Sequence, residues 1–183
     1  MTKSEVLKSK VCLVGEAGVG KTSLIRRFVL DVFSDEYIRT LGAKVTKKSL
    51  PIAVPERNLR FEVSMAIWDV IGHAGFRDLL SDSFFLGAQG ILAVADLTRK
   101  ETLPSVAAWV SAVEKVAGRV PVVLVGNKAD LEREAQFGER ELAAMARSIE
   151  AAHVIASAKS GQNVEQAFRL LATAVATAPP RHA

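Results

Sequence analysis

A chain of 183 residues, 49% apolar and 24% charged, is long enough for one domain with a real core and has the ordinary composition of a globular protein. Its net charge of +4 is mild, and with no basic block or aromatic-interleaved basic stripe it gives no reason to expect nucleic acid as a partner. No apolar run reaches the length of a membrane span and no signal-peptide core opens the chain; the single cysteine, Cys12, reads as a buried, reduced thiol of a cytoplasmic protein.

In chain order, Val11, Cys12, Leu13 and Val14 form an apolar run that reads as a buried strand, with residues 1–9 as a tail before it. Residues 21–30 read as a helix with Leu24, Ile25 and Phe28 on one face, and a polar loop follows over 31–41. Strands are expected over 43–50 and 59–68. The intervening stretch 51–58, with its two prolines and the Arg57-Asn58 pair, reads as a long hairpin connection. Residues 91–95 and 120–125 are unbroken apolar runs, as central parallel strands covered on both faces require. Between them Val106, Val110, Val113 and Ala117 keep helical spacing up to Gly118. A further helix is expected over 139–151, with Leu142, Met145, Ala146 and Ile149 facing inward, and a short strand over 153–156. Asn163 is expected to cap a last helix carrying Val164, Phe168, Leu171 and Val175, which Pro179 stops. This alternation predicts an α/β fold: a doubly wound, mostly parallel six-stranded sheet with helices on both faces, one domain over 10–178 with short tails at 1–9 and 179–183. Ligands of such sheets sit at the carboxyl ends of the strands.

The chemistry-bearing motifs fall at those ends. Gly15-Glu16-Ala17-Gly18-Val19-Gly20-Lys21-Thr22 fits G-x-x-x-x-G-K-[ST], directly after a strand and before a helix, the context that makes the pattern a phosphate site. Glycines let successive N–H groups turn inward, the helix dipole adds positive potential, Lys21 adds a full charge for the β- and γ-phosphates, and the Thr22 hydroxyl can ligate Mg²⁺. After the third strand comes Trp68-Asp69-Val70-Ile71-Gly72-His73, with Asp69 suited to Mg²⁺ and Gly72 to a close backbone approach to a γ-phosphate. After the fifth comes Gly126-Asn127-Lys128-Ala129-Asp130; a carboxylate at Asp130 accepts from the N1–H and N2 amino group of guanine and rejects adenine. After the sixth comes Ser157-Ala158-Lys159, a source of a backbone N–H for guanine O6.

The ordered set GEAGVGKT, RTLG, WDVIGH, GNKAD and SAK runs from Val11 to the final helix and resembles the Ras superfamily of small GTPases, closest in pattern to Rab-like members. Trp68, Thr40-Leu41-Gly42, Phe76-Arg77 and Gly87-Ala88-Gln89-Gly90 lean the same way. The resemblance implies the fold of a P-loop NTPase that binds GTP and GDP as substrate and product, with Mg²⁺ as cofactor. It implies a nucleotide-binding set of Gly15, Ala17, Gly18, Val19, Gly20, Lys21, Thr22, Ser23, Phe33, Tyr37, Thr40, Gly72, Asn127, Lys128, Asp130, Ser157, Ala158 and Lys159. Thr22, Thr40 and Asp69 would meet the metal, Phe33 would pack on guanine, and Tyr37 would match the switch tyrosine; as plain core, Phe33 would need no ligand. Effector, exchange and activating proteins would read residues 31–42 and 71–83, the two switches of a monomeric cytoplasmic protein.

Several positions depart from that pattern. His73 stands where most relatives have the glutamine that orients the attacking water; a neutral imidazole, with one donor and one acceptor nitrogen, can do the same, so His73, Lys21 and Thr40 are the expected catalytic set. Ala17 replaces a glycine found in Ras, Arg39 replaces a common proline, and the 51–58 connection is long. No arginine is identified as an internal finger; Arg77 is the remote candidate and reads better as surface charge. With Thr at residue 2 and no cysteine near residue 183, no lipid anchor is expected. The expected activity is slow GTP hydrolysis. A GTP-held scaffold without useful hydrolysis and, against the Asn-Lys-x-Asp motif, an ATP-dependent P-loop enzyme are the alternatives.

Overall fold

The computed structural model describes residues 3–34 and 43–179. The strands are β1 (Lys3–Val14), β2 (Ala43–Val54), β3 (Leu59–Val70), β4 (Gly90–Asp96), β5 (Val122–Asn127) and β6 (Ala152–Ile155). The helices are α1 (Lys21–Leu30), α2 (Ala74–Phe85), α3 (Thr102–Ala117), α4 (Glu139–Ser148) and α5 (Val164–Thr177). They build one six-stranded sheet in the order β2-β3-β1-β4-β5-β6, in which only β2 runs antiparallel, against β3. The winding reverses at β1, which opens a crevice between the carboxyl ends of β1 and β4.

Alternation along β1 divides the core. Val11 and Leu13 face α1 and α5, where Leu24, Phe168 and Leu171 close over them. Cys12 and Val14 face the other way, toward Val106 and Trp109 of α3 and Leu142 of α4. Helices on both sides explain why all seven residues of β4 are buried. Phe28 of α1 stacks on Phe168 of α5 with ring centroids 4.1 Å apart, which fixes the helix leaving the phosphate loop. Burial pushes the Cys12 thiol up to about 12, against the pull of Lys10, so it is a packing group and not a nucleophile.

Three local expectations are corrected. Residues 3–9, read as a tail, continue β1 and pair with β3 from Lys3↔Leu59 to Ser9↔Met65; Leu7 packs on the core while Lys8 and Lys10 dilute the apolar run. The stretch 51–58 is half strand: β2 runs to Val54, with Leu50, Ile52 and Val54 alternately buried, and only Pro55–Arg57 turn, closed by Asn58 at φ 50°. Pro51 is tolerated because β2 is the edge strand, and its carbonyl accepts from Arg169 Nη1 at 2.9 Å. Asn163 stands at the start of α5 but makes no cap; its Nδ2 donates instead to the Ile155 carbonyl at 2.9 Å. Among the described residues no helix is long and apolar enough to cross a membrane.

Candidate functional site

Residues 15–20 fill the crevice. Gly15, Gly18 and Gly20 all have positive φ, of 145°, 76° and 101°, which is the conformation that turns N–H groups inward and favours glycine. The loop is pressed on its neighbours: a Cβ on Gly20 would fall 2.3 Å from Asn127 Nδ2, which donates to the Val19 carbonyl at 2.9 Å. Gly20→Ala therefore strains the backbone and displaces a buried hydrogen bond. It is expected to destabilise the fold by about 3 kcal/mol, seen as a lowered thermal midpoint of the nucleotide-free protein.

Lys21 bends back over the loop, its Nζ donating to the Gly15 carbonyl at 2.9 Å and the Glu16 carbonyl at 3.0 Å. It is 6% exposed. Burial lowers its pKa to about 8, against the carboxylates of Asp69 and Glu16 that pull it up, and the nearby Arg99 charge adds to the lowering. Next to it Thr22 Oγ1 donates to Asp69 Oδ2 at 2.5 Å. Two hard oxygen donors meeting beside a phosphate loop fit Mg²⁺, which keeps waters and takes few protein ligands. Gly72 lies on the loop from the other side. A Cβ there would fall 2.6 Å from both the Ala17 nitrogen and Lys21 Nζ, so glycine is required by close approach. His73 is exposed and caps α2: its Nδ1 accepts from the Gly75 N–H at 3.1 Å, which puts the proton of a neutral ring on Nε2.

At the other end of the cavity, Asn127 ties three segments together. Beyond its bond to Val19, its Oδ1 accepts from the Ala158 N–H at 3.1 Å. Ser157 Oγ donates to Asp130 Oδ1 at 2.6 Å and accepts from the Ser160 N–H at 3.0 Å, so the serine aims the carboxylate. Lys128 sits at φ 71°, and its ammonium is 2.7 Å from Asp96 Oδ2, leaving its stem on the cavity wall. The cavity, about 670 Å³, is lined by Ala17, Gly18, Gly20, Lys21, Thr22, Ser23, Phe33, Gly72, His73, Asn127, Lys128, Asp130, Ala158 and Lys159 among others. Gly15, Val19, Asp69 and Ser157 are buried around it. Phe33 is both on the wall and partly packed on the core. Tyr37 and Thr40 lie outside the described residues.

Sequence reasoning missed the residues that hold these loops. Arg27 of α1 donates from Nε to the Ala158 carbonyl at 2.8 Å and from Nη2 to the Lys159 carbonyl. Asp96, at the end of β4 and fully buried, receives the Thr98 N–H and hydroxyl, Lys128 and Arg99. Burial alone would raise its pKa, but the hydrogen bonds from Lys128 and Thr98 outweigh that and hold the carboxyl below its ordinary range. Trp109 of α3 donates to Glu16 Oε1 at 3.3 Å, and the Arg77 guanidinium lies 5.5 Å over the same indole, so Arg77 is more than surface charge. A carboxylate closing an apolar strand on the ligand edge was the one readable signal, at Asp96.

A sheet wound in this order, with a glycine-rich phosphate loop at its switch point and an Asn-Lys-x-Asp loop facing it across one cavity, defines a phosphate-loop nucleotide-binding domain. The sequence model of the Ras family matches residues 10–177. Rab-1A of Dictyostelium discoideum is 35% identical over 167 residues, covering 91% of this chain and 79% of that protein. Rab-21 of Bos taurus is 36% identical over 160 residues, covering 87% and 69%, and Rab-21 of Geodia cydonium is 31% identical over 179, covering 97% and 75%. The chain belongs to the Ras family and is a Rab-like small GTPase, a switch that binds GTP and GDP and works through regulatory and effector proteins.

Proposed function

We propose that this GTPase turns over GTP slowly by itself and that residues 31–42 and 71–83 change conformation with the nucleotide. The observation that carries the reading is the convergence of the glycine loop, Gly72 and the Asp130 loop on a single cavity of about 670 Å³. The phosphates would lie against residues 15–22 with Lys21 offsetting their charge, and guanine would lie between Phe33 and Lys128, read by Asp130. The Ala158 N–H would be shared between Asn127 Oδ1 and guanine O6. Thr22 and Asp69, with Thr40, would hold Mg²⁺, which supplies positive charge at the phosphates when bound.

His73 is the residue we assign to the attacking water. With Nδ1 engaged by Gly75, the ring offers Nε2–H, so it orients water as a hydrogen-bond donor and is not the base that removes its proton. His73→Ala is expected to lower single-turnover hydrolysis about a hundredfold while leaving GDP affinity within about threefold. Wild-type turnover in that variant would remove His73 from the mechanism. Tight GTP binding with no turnover in either protein would make the chain a nucleotide-held scaffold.

A further inference from the structure

We infer that Arg99, in the turn between β4 and α3, is a built-in cation for the γ-phosphate, supplying in this chain the charge that a partner's arginine would otherwise bring; the inference rests on the GTPase reading above. The side chain is anchored by Nε on Asp96 Oδ2 at 3.1 Å and points its outer nitrogen at the phosphate loop, where Nη2 donates to the Ala17 carbonyl at 2.8 Å. Ala17 lies against the hollow between Gly72 and Lys21 Nζ, the hollow in which a Cβ on Gly72 would collide. Arg99 thus stands one loop residue from where the terminal phosphate would sit.

Its charge is not spent on its anchor. Asp96 has a shorter ion pair with Lys128, at 2.7 Å, and two hydrogen bonds from Thr98. The nearest other carboxylate on the loop, Glu16, is engaged by Trp109. The Arg99 side chain is 37% exposed, so neighbouring atoms leave room for Nη2 to change partner. A neutral carbonyl is a weaker partner for a guanidinium than a phosphoryl oxygen carrying formal charge, so GTP would draw Nη2 from Ala17 to the γ-phosphoryl group.

In the reaction, the water oxygen bonds to the γ-phosphorus and the bond from that phosphorus to the β–γ bridging oxygen breaks. The electron pair leaves with GDP, and both water protons end on the dihydrogen phosphate produced. Negative charge grows on the bridging and γ-oxygens in the transition state, and a guanidinium already drawn onto the γ-phosphoryl group by bound GTP lowers the barrier.

The test is single-turnover hydrolysis of GTP by the purified full chain without any partner, for the native protein, Arg99→Gln, Arg99→Ala and Arg99→Lys. It is paired with formation of the GDP–aluminium fluoride complex, read with a fluorescent GDP analogue. Gln keeps a hydrogen-bond donor for the Ala17 carbonyl but no charge, so it separates a loop clamp from a charge role. The Gln and Ala variants are expected to hydrolyse about a hundredfold slower, with GDP affinity within about threefold, and to form no aluminium fluoride complex; Lys recovers part of both. A Gln variant that hydrolyses like the native protein, or loses GDP affinity as much as rate, overturns the assignment. A native protein that binds GTP without turnover overturns both this role and the hydrolysis proposed above. One that binds no GTP overturns the nucleotide reading itself.

Discussion

Asp130→Asn is expected to reverse the base preference of this GTPase. The carboxylate is held by Ser157 Oγ at 2.6 Å, so its geometry at the base is set before nucleotide arrives. Two acceptor oxygens match the N1–H and N2 amino group of guanine. An amide presents one acceptor and one donor, which leaves the N2 amino group facing a donor and matches instead the C2 carbonyl of xanthine. Unpaired buried polar groups are what give such sites discrimination of about 10⁴ or more. GDP affinity is expected to fall about a thousandfold and xanthosine diphosphate to become the better competitor against a fluorescent GDP analogue. Asp130→Ala should lose GDP without gaining xanthosine diphosphate. Retention of guanine preference in the Asn variant would mean that the base is read elsewhere.

Lys21→Met has an effect of opposite sign on folding and on binding. A pKa lowered from 10.5 to about 8 corresponds to about 3 kcal/mol spent in burying the ammonium in the nucleotide-free protein. The variant is expected to be at least as stable as the native chain at pH 7, while losing a thousandfold or more in nucleotide affinity. The same group sets a pH dependence. Between pH 8 and 10.5 the unfolded chain binds more protons than the folded one, so nucleotide-free stability rises through that window and is flat from this source below it. Nucleotide phosphates favour the charged lysine, so binding at pH 9 takes up close to one proton and weakens as pH rises. Calorimetry of GDP binding in two buffers of different ionisation enthalpy measures that uptake, and the Met variant should show none of it. Equal proton uptake in both proteins would assign the titration to another group.

That the motif residues meet around one cavity was legible in the sequence, because motifs placed just past parallel strands are brought to one edge of the sheet. Lys21, Asp69, Asn127, Asp130 and Ser157 follow that logic, and the apolar runs at 91–95 and 120–125 gave the central strands with it. Arg27 and Arg99 were not legible. Each has a local carboxylate, Asp31 for Arg27 and Asp96 for Arg99, but the contacts that hold the loops go to backbone carbonyls of residues 158, 159 and 17, which no side-chain pattern marks. The start of β1 was hidden by Lys8 and Lys10, whose pattern resembles an exposed tail until β3 is present to pair with it. Asn163 shows the converse: the residue type is right for a cap, but the nearby Ile155 carbonyl competes for its side chain and wins.

The long hairpin gives the molecule a handle. From Ala43↔Val70 at the cavity end to Val54↔Leu59 at the far end, β2 and β3 pair over twelve residues each, about 40 Å of ladder. Glu56, exposed in the turn beyond it, is distant from the nucleotide, and Arg57 Nη2 moors that turn to the Thr177 carbonyl at 3.3 Å. A dye or surface tether attached there would orient the whole domain with the cavity end of the sheet outward.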